Sequence, residues 1–346
     1  MSAPLRIAVV GLGYWGPNLL RNLMELDDAE VVRMCDLRED RLEHWGKRYP
    51  AIARTTSYLE VLSDDQVEAV VIATPVSTHF DLASRALQFG KHTFVEKPLS
   101  GSAEEAGELV RLARRAGRVL MPGHTFLYSP PVVMVKDLID RGDLGEIYFI
   151  SSSRVNLGLH QADVSVVWDL GPHDFSILRY WLGESPTTVS ALSRECVLPG
   201  TPDVAFVNMQ YPSGTIAQIE LAWLAPSKLR RTAVVGSERM VVYDDTSGEP
   251  VRVFNSGASL PDPESFGEYQ LSYRTGDIVS PRVEPAEPLY LQMEDFCAAI
   301  REGREPRSSA TIGREVVDVL EAVDGSLAHS GSPVALERDG HVRLAN

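Results

Sequence analysis

Three glycines near the start of the chain have a spacing that suits the binding of a diphosphate. They belong to Gly11-Leu12-Gly13-Tyr14-Trp15-Gly16, which follows an apolar run and precedes a helical pattern. In such a segment the first glycine permits a tight turn, the second lets the backbone approach a pyrophosphate, and the third lets helix and strand pack closely. The N–H groups at the start of the helix add a partial positive charge. The segment therefore predicts a dinucleotide-binding loop rather than a plain structural turn.

An acidic residue follows where such a loop needs one. Asp36 ends the next strand-like run, 20 residues after Gly16, and a carboxylate there accepts a hydrogen bond from the ribose 2′-hydroxyl. Because it also repels a 2′-phosphate, NAD is the predicted cofactor and NADP is less favoured. Arg38 lies nearby, and its positive charge partly reverses this preference. The predicted cofactor contacts of this region are Gly11, Gly13, Tyr14, Trp15, Gly16, Asp36 and Leu37.

The segments around this loop alternate between strand-like and helix-like patterns. Short apolar runs at 5–10, 30–35, 67–73, 92–95 and 119–121 predict parallel strands buried on both faces. Amphipathic stretches at 17–26, 38–49, 80–89 and 103–116 predict the helices between them. This β-α-β alternation predicts an α/β Rossmann domain with a doubly wound parallel sheet over residues 1–122.

The pattern changes after residue 122. Strand-like runs near 146–154, 188–196, 204–211, 215–224, 230–235 and 240–243 are joined by short turns, which favours antiparallel hairpins. Helices are predicted at 132–141, 166–182, 289–302 and 311–326. Residues 246–288 are rich in Gly, Pro, Ser and acidic residues and predict long loops. Residues 123–346 thus predict a second domain, of the α+β class.

The composition argues against several classes of function. With 346 residues and a formal net charge of −15, the chain would repel a phosphate backbone, so no nucleic-acid binding is expected. The three cysteines lie far apart and predict no disulfide framework, which fits a reducing cytoplasm. No spacing of His, Cys or carboxylate residues predicts a metal site. A signal peptide and an apolar run of about 18 residues are both missing, so no membrane association is expected.

Three further motifs carry a resemblance to a known family. They are Thr74-Pro75 followed by His79, Glu96-Lys97-Pro98 after the next predicted strand, and Asp169-Leu170-Gly171-Pro172-His173-Asp174. Together with the glycine-rich loop, and in this order, they resemble the glucose–fructose oxidoreductase/inositol dehydrogenase/MocA family over nearly the whole chain. The resemblance implies a two-domain oxidoreductase whose second domain has a mostly antiparallel open sheet. It also implies a homodimer or homotetramer formed through that sheet.

The resemblance implies roles for individual residues. Lys97 resembles the active-site lysine that contacts the reacting hydroxyl and the cofactor, His173 the proton-transfer histidine, and Asp169 the carboxylate that shares the site with it. The positions that match the lining of the cofactor groove are Thr74, Pro75, His79 and Glu96.

One segment departs from many members of the family. They carry Asn-Arg-Arg or Gln-Arg-Arg where this chain has His124-Thr125-Phe126, so their substrate contacts do not transfer. The run Gly-His-Thr-Phe-Leu-Tyr looks more like members that act on nucleotide sugars or amino-sugar precursors, which commonly oxidise the C3 hydroxyl. His124 is therefore a candidate substrate contact.

Hydride transfer from an alcohol requires a base within about 3 Å of the hydroxyl oxygen. His173 suits this role because the ordinary pKa of histidine is about 6.5, and Asp169, four residues earlier, would share a helical face with it. Lys97 either donates to the developing alkoxide or, if it is desolvated, accepts the proton itself. The choice between the two acceptors stays open. Structural alternatives are a surface Lys97, a core or helix-cap His173, and an Asp169 that caps a helix from Gly171 to Leu182.

Other residues are candidates for contacts with the substrate. Arg154, Asn156 and His160 follow a predicted strand, and Arg154 would suit a diphosphate, with solvent-facing loop residues as the alternative. Tyr128 and Trp168 either stack on a sugar face or belong to the core. Asp174 is either a structural residue or a contact to a substrate hydroxyl.

The predicted function is NAD-dependent oxidation of a secondary hydroxyl, at C3, of a sugar unit, nucleotide sugar or aminoglycoside-type substrate. The product would be a keto sugar that a transaminase then uses. An NADPH-dependent keto-sugar reductase is one alternative, which Asp36 disfavours. A second is an NAD(P)-binding redox sensor without turnover, which Lys97, Asp169 and His173 disfavour. Glycoside cleavage through a transient redox cycle is a third, and the family lysine and histidine are compatible with it.

Overall fold

The computed structural model describes residues 3–158, 160, 164–259, 272–336 and 342–344. The contacts of the chain divide it into two compact units, and each unit contains two segments. Unit 1 contains Met1–Tyr128 and Ala286–Asp318, and unit 2 contains Ser129–Pro285 and Val319–Asn346. The predicted boundary after residue 122 therefore falls inside unit 1. Residues 286–318, which the prediction kept with the second domain, also belong to unit 1.

The described part of unit 1 contains a six-stranded parallel sheet. Its strands are β1 (Leu5–Val10), β2 (Ala29–Cys35), β3 (Ala53–Thr55), β4 (Ala69–Ile72), β5 (His92–Val95) and β6 (Leu120–Pro122), in the spatial order β3-β2-β1-β4-β5-β6. The order reverses between β1 and β4, and ligands of such sheets bind outside the carboxyl ends of the strands at this point. The predicted doubly wound Rossmann sheet is confirmed.

Amphipathic helices cover this sheet. They are α1 (Gly16–Met24), α2 (Glu39–Arg48), α3 (Tyr58–Ser63), α4 (His79–Gln88), α5 (Ala103–Ala116) and, from the second segment of the unit, α8 (Pro288–Glu302). In α1 the apolar face is formed by Leu19, Leu20 and Leu23, which are fully buried because i, i+1 and i+4 positions fall on one side of a helix. Burial of these side chains fixes the direction of α1, and with it the loop that precedes the helix.

Unit 2 is organised around a ten-stranded sheet in its described residues. The strands are β7 (Ile147–Val155), β8 (Thr188–Arg194), β9 (Val204–Gln210), β10 (Ile216–Ala222), β11 (Leu229–Gly236), β12 (Met240–Asp244), β13 (Val251–Phe254), β16 (Ile278–Val279), β17 (Val334–Leu336) and β18 (Val342–Leu344). Their order is β16-β13-β12-β11-β7-β10-β9-β8-β17-β18. Within the described chain, β7 and β10 pair in parallel, and all other neighbouring strands of this sheet pair antiparallel. The mostly antiparallel sheet is therefore confirmed.

Alternating burial explains how this sheet packs. Along β9, Ala205, Val207 and Met209 are buried while the residues between them face outwards, the period of two that a strand with one covered face requires. The helices α6 (Pro130–Asp140) and α7 (Val166–Leu182) belong to this unit, and α9 (Ala310–Ala328) contains the division between the units.

The prediction of long loops at 246–288 is partly wrong. This segment contains β13, β16 and a separate hairpin of β14 (Gly257–Ser259) with β15 (Ser272–Arg274), while residues 260–271 lie outside the described part. These strands are two to four residues long, too short for a periodic apolar pattern, so the turn-forming residues dominated the prediction.

Among the described helices, none combines the length and the apolar character needed to cross a membrane.

Candidate active site

The glycine-rich loop connects β1 to α1, as predicted, and two of its glycines are required by packing. Gly11 has φ +89°, and a Cβ there would lie 2.5 Å from the carbonyl oxygen of Ala73. A Cβ on Gly16 would lie 1.8 Å from the carbonyl oxygen of Gly11. A Cβ on Gly13, in contrast, would meet nothing closer than Arg41 Nη1 at 3.7 Å. Gly13 therefore leaves an open stretch of backbone, which suits the approach of a pyrophosphate.

The amino end of α1 is suited to an anion. Trp15 occupies the N-cap position and gives no side-chain hydrogen bond to the first turn, which contains no acidic residue. The first N–H groups of a helix have no partner within the helix and attract negative charge. Tyr14 and Leu37, two of the predicted cofactor contacts, are 81% and 88% exposed, so apolar surface lies open beside this anion site. The loop and its surroundings fit a dinucleotide.

Asp36 joins the loop to the end of β2. Its Oδ2 accepts from the backbone N–H of Leu12 at 2.7 Å, and its Oδ1 accepts from the N–H of Arg38 at 2.9 Å. The guanidinium of Arg38 pairs with Asp40, whereas Arg41 Nη1 lies 3.4 Å from Asp36 Oδ2. The guanidinium beside the carboxylate of Asp36 is thus that of Arg41 and not that of Arg38. Sequence reasoning missed Arg41, although its position in the first turn of α2, five residues after Asp36, was a usable signal.

His79 connects the loops that follow β4 and β5. Its buried ring lies between two carbonyl oxygens, with Nδ1 2.8 Å from Pro98 O and Nε2 2.9 Å from Thr74 O. Burial lowers the pKa of His79 although both carbonyl contacts act to raise it. The Thr74 hydroxyl lies 2.7 Å from that of Thr78. His79 and Thr74 were predicted to line the cofactor groove; in the structure His79 fixes the backbone at Thr74 and Pro98.

Glu96 and Lys97 follow β5 at the same carboxyl edge of the sheet. Glu96 is buried, and its Oε2 accepts from the N–H of Lys97 at 3.2 Å, whereas its Oε1 is buried with no hydrogen-bond partner in the described part of the chain. Burial raises the pKa of Glu96 to about 7, and the charge of Lys97 offsets part of this effect. A Cβ on Gly123, which follows β6, would lie 2.9 Å from Glu96 Oε2. Lys97 itself is half-buried, and its peptide bond to Pro98 is cis.

His124 and Tyr128, two candidate substrate contacts, are buried in unit 1. Neither ring nitrogen of His124 has a hydrogen-bond partner among the described residues. Burial, followed by the charge of Lys97, lowers the pKa of His124 to about 3, so the ring is neutral. The Tyr128 hydroxyl donates to Asp295 at 2.7 Å and accepts from the N–H of Ser308 at 3.0 Å. These contacts fit the core alternative for Tyr128.

The burial of Glu96 predicts a pH dependence of stability. Because its pKa is raised to about 7 from 4.5, the folded chain keeps a proton that the unfolded chain releases, and stability falls as the pH rises from about 4.5 to 7. Between pH 5 and 8 we expect the free energy of unfolding to fall by about 2 to 3 kcal/mol more in the wild type than in Glu96→Gln. Urea unfolding of the apoprotein measures this difference.

A surface variant serves as the control for this measurement. Glu108→Gln removes an exposed carboxylate that pairs with Arg111 and Arg115, and it should lose as much stability as the wild type between the same pH values. Equal losses in the wild type and Glu96→Gln would show that Glu96 is ionised throughout this range.

In unit 2, Asp169 and His173 lie on α7 and are both half-buried. They are four residues apart, so their side chains leave the same face of the helix. The helix begins at Val166, and the hydroxyl of Ser165 caps it by accepting from the N–H of Trp168. The alternative in which Asp169 caps a helix from Gly171 is therefore wrong. Instead, Asp169 Oδ2 accepts from the indole N–H of Trp223 at 3.1 Å, a partner that no sequence motif indicated.

Arg154 and Asp174 form a buried ion pair in unit 2. Ser152 donates to the other oxygen of Asp174 at 2.8 Å. Arg154 lies within β7, so the alternative of a solvent-facing loop residue is wrong for it. A diphosphate would have to compete with Asp174 for this guanidinium, and Asp174 fits the structural role of the two foreseen for it.

The remaining substrate candidates also lie in unit 2. The Asn156 Oδ1 atom is buried and has no hydrogen-bond partner within the ranges that the structure describes. The His160 ring lies 5.4 Å from the ring of Trp223, and its Nε2 lies 3.6 Å from Asp203 Oδ2. Trp168 donates from its indole to Asp324 at 2.7 Å. In the part of the chain that the structure describes, no group of three or more His, Cys, Asp or Glu side chains could hold a metal ion.

Comparison with known proteins gives consistent matches over both units. A family model described as "Oxidoreductase family, NAD-binding Rossmann fold" matches residues 5–124, and the model of the GFO/IDH/MocA C-terminal domain matches residues 132–242.

Individual relatives match over most of their length. The chain is 27% identical over 331 residues to scyllo-inositol 2-dehydrogenase (NAD(+)) of Bacillus subtilis (strain 168), covering 91% of this chain and 93% of the relative. It is 25% identical over 335 residues to inositol 2-dehydrogenase of Rhizobium meliloti (strain 1021), covering 94% and 97%. The crystal structure of GenD2 from gentamicin A biosynthesis, in complex with NAD, is similar with a TM-score of 0.81 and 26% identity, covering 100% of this chain and 97% of that one.

Proposed function

Because the chain belongs to the GFO/IDH/MocA oxidoreductase family, we propose that it oxidises a secondary hydroxyl of a sugar unit with NAD as the hydride acceptor. One observation carries the proposal. Lys97 follows β5 at the carboxyl edge of the Rossmann sheet, the same edge at which the glycine-rich loop leaves β1. This edge, beside the reversal of strand order, is where such sheets bind a dinucleotide.

The proposed chemistry assigns a separate task to each group. NAD, when bound, accepts the hydride. The hydride leaves its carbon only as the hydroxyl proton is removed, and His173 accepts that proton with Asp169 on the same helical face. Lys97 donates to the oxygen that becomes negative. Burial raises the pKa of the neighbouring Glu96 to about 7. At neutral pH its carboxyl group is therefore not fully charged and does not compete at full strength for the ammonium of Lys97.

The finer part of the proposal concerns the substrate. We propose the C3 hydroxyl of a nucleotide sugar or of an aminoglycoside-type sugar, oxidised to a ketone that a transaminase consumes. The similarity to GenD2 from gentamicin A biosynthesis supports an aminoglycoside-type sugar. The similarity to the two inositol dehydrogenases supports a secondary ring hydroxyl as the reacting group.

A substrate panel tests this function. The purified protein is incubated with NAD and scyllo-inositol, UDP-N-acetylglucosamine or gentamicin A, and the formation of NADH is followed by absorbance. Reduction of NAD with any of these sugars supports the proposal. Binding of NAD without turnover on the whole panel would favour the redox sensor, and turnover of the corresponding ketones with NADPH alone would favour the reductase.

Asp36 is expected to set the preference for NAD. Asp36→Ala should weaken NAD binding about 10- to 100-fold, the effect of losing a charged hydrogen bond to the ribose, while NADP binding changes by less than about threefold. Calorimetric titration measures both. Arg38→Ala is the matched control, because Arg38 pairs with Asp40 and its loss should leave NAD binding unchanged. Equal weakening of both cofactors by Asp36→Ala would contradict the ribose assignment.

We propose further that two or four copies associate through the sheet of unit 2. Phe149, Phe206 and Ile216 lie on one face of β7, β9 and β10 and are 42%, 42% and 55% exposed. Residues of these strands and of β8, with Pro333, line a concavity of about 550 Å³. An exposed apolar face of this kind supports a second copy of the chain as the partner. Sedimentation velocity of wild type and Phe206→Lys tests this, and a monomeric wild type would contradict it.

A further inference from the structure

The indole of Trp223 is buried, and its N–H is directed at the carboxylate of Asp169. The residue directly follows β10, its side chain is 1% exposed, and Nε1 lies 3.1 Å from Asp169 Oδ2. An indole N–H can only donate, so it needs an acceptor when it is removed from water. Here the acceptor is one of the two groups assigned to proton transfer.

The backbone of unit 2 holds Trp223 on both sides. Its N–H donates to the carbonyl of Asp203 at 2.9 Å, and its own carbonyl accepts from the N–H of Gly158 at 2.9 Å. The ring is enclosed as well: a Cβ on Gly158 would lie 3.2 Å from Trp223 Cδ1, and the ring of His160 lies 5.4 Å away. The indole therefore has little freedom to follow a carboxylate that turns away from it.

This contact restricts Asp169 at every pH. The indole neither ionises nor accepts, so its demand for an acceptor does not change when nearby groups gain or lose a proton. Rotation of Asp169 away from it would leave a buried donor unpaired, which is unfavourable. Fixing Oδ2 in this way fixes the plane of the carboxylate, and hence the direction of Oδ1, on the helical face that also carries His173.

We propose that Trp223 is a positioning residue for proton transfer, which holds the carboxylate of Asp169 in the orientation that His173 requires. The inference rests on the proposed function, because it presumes that Asp169 and His173 act together on the substrate proton. Trp223 acts through Asp169 and contacts no reacting atom.

Unit 2 offers a matched control for this role. Trp181 is equally buried, and its indole N–H donates to the carbonyl of Val132 at 2.9 Å. Trp181→Phe and Trp223→Phe each remove one buried indole donor and keep an aromatic ring, but only the second removes a donor to Asp169. A loss of kcat that both variants share reports on packing, and a loss of kcat confined to Trp223→Phe reports on the contact with Asp169.

The kinetic test compares these variants with scyllo-inositol and UDP-N-acetylglucosamine as the substrates. Trp223→Phe should lower kcat about 10-fold, as expected for a misaligned catalytic group, while the KM for NAD stays within about twofold and Tm falls no further than in Trp181→Phe. In an Asp169→Ala background, Trp223→Phe should cause no further loss of kcat. Equal kcat values for Trp223→Phe and Trp181→Phe would overturn the inference.

Two outcomes separate this inference from the proposed function. If Asp169→Ala keeps the wild-type kcat, the assignment of Asp169 in the proposed function is wrong. If Asp169→Ala is inactive and Trp223→Phe is unimpaired, the positioning role alone is wrong. An NMR spectrum of protein labelled at the tryptophan nitrogens gives a readout without turnover: Asp169→Ala should move the indole resonance that Trp223→Phe removes and leave that of Trp181 in place. An unmoved Trp223 resonance would overturn the inference.

Discussion

Replacing Lys97 by alanine is expected to lower kcat about 1,000-fold, within the range for the loss of a group that acts on the transferred proton or the charge it leaves behind. Lys97 follows β5 at the carboxyl edge of the sheet and is the half-buried cation beside Glu96. Its charge is proposed to act on the oxygen that becomes negative in the transition state, an interaction that the ground state lacks. The effect should therefore fall on kcat, with the dissociation constant of NAD within about threefold of the wild type.

Lys91 is the matched control for this experiment. It lies just before β5, and its ammonium donates to the carbonyl oxygens of Asp64 and Val67 at 2.9 and 2.7 Å. Lys91→Ala should lower Tm, because two buried acceptors lose their donor, and leave kcat within about twofold. A Lys97→Ala enzyme that keeps more than about a tenth of the wild-type kcat would contradict the role given to Lys97.

The second large effect is expected at the glycine-rich loop, where Gly16→Ala should disrupt the first unit. Its Cβ would lie 1.8 Å from the carbonyl oxygen of Gly11, and no side-chain rotation can relieve an overlap between two backbone-fixed atoms. Either the turn at Gly11 or the start of α1 must move, and both are held by buried contacts. We expect a loss of about 3 kcal/mol or more, measured by urea unfolding, together with loss of NAD binding.

Gly13→Ala distinguishes an effect on the stability of the fold from an effect on cofactor binding. Its Cβ would meet no atom of the described residues closer than 3.7 Å, so the stability of the apoprotein should change by less than about 1 kcal/mol. The same Cβ would stand in the path of the pyrophosphate, so NAD binding should weaken about 10-fold or more. Normal NAD binding by Gly13→Ala would contradict the placement of the diphosphate against this backbone.

The Rossmann domain was predictable from sequence because its signals are local. The apolar runs, the glycine spacing and Asp36 at the end of β2 all lie within a few residues of the feature they define. Residues 286–318 show the limit of such signals. The helical pattern of α8 was recognised, but its membership of unit 1 depends on contacts such as that of Glu287 with Arg21 and Asn22, which no periodicity encodes.

The candidate site shows the same division. Glu96-Lys97-Pro98 and the four-residue spacing of Asp169 and His173 are sequence motifs, and both were recognised. The partners of these residues come from distant parts of the chain. His79 reaches the carbonyl of Pro98, and Trp223 reaches Asp169 across 54 positions. Similarly, the pairing of Arg154 with Asp174 depends on how α7 packs on β7, so the sequence alone predicts a phosphate contact for this strand-end arginine.

Deuterium transfer tests the central claim most directly. The wild-type protein is incubated with NAD and either ring-deuterated scyllo-inositol or UDP-N-acetylglucosamine deuterated at C3, and the mass of the reduced cofactor is measured. If the enzyme takes hydride from a sugar carbinol carbon, the NADH formed carries one deuterium. Reduced cofactor without deuterium, or NAD that stays oxidised although it is bound, would contradict the claim.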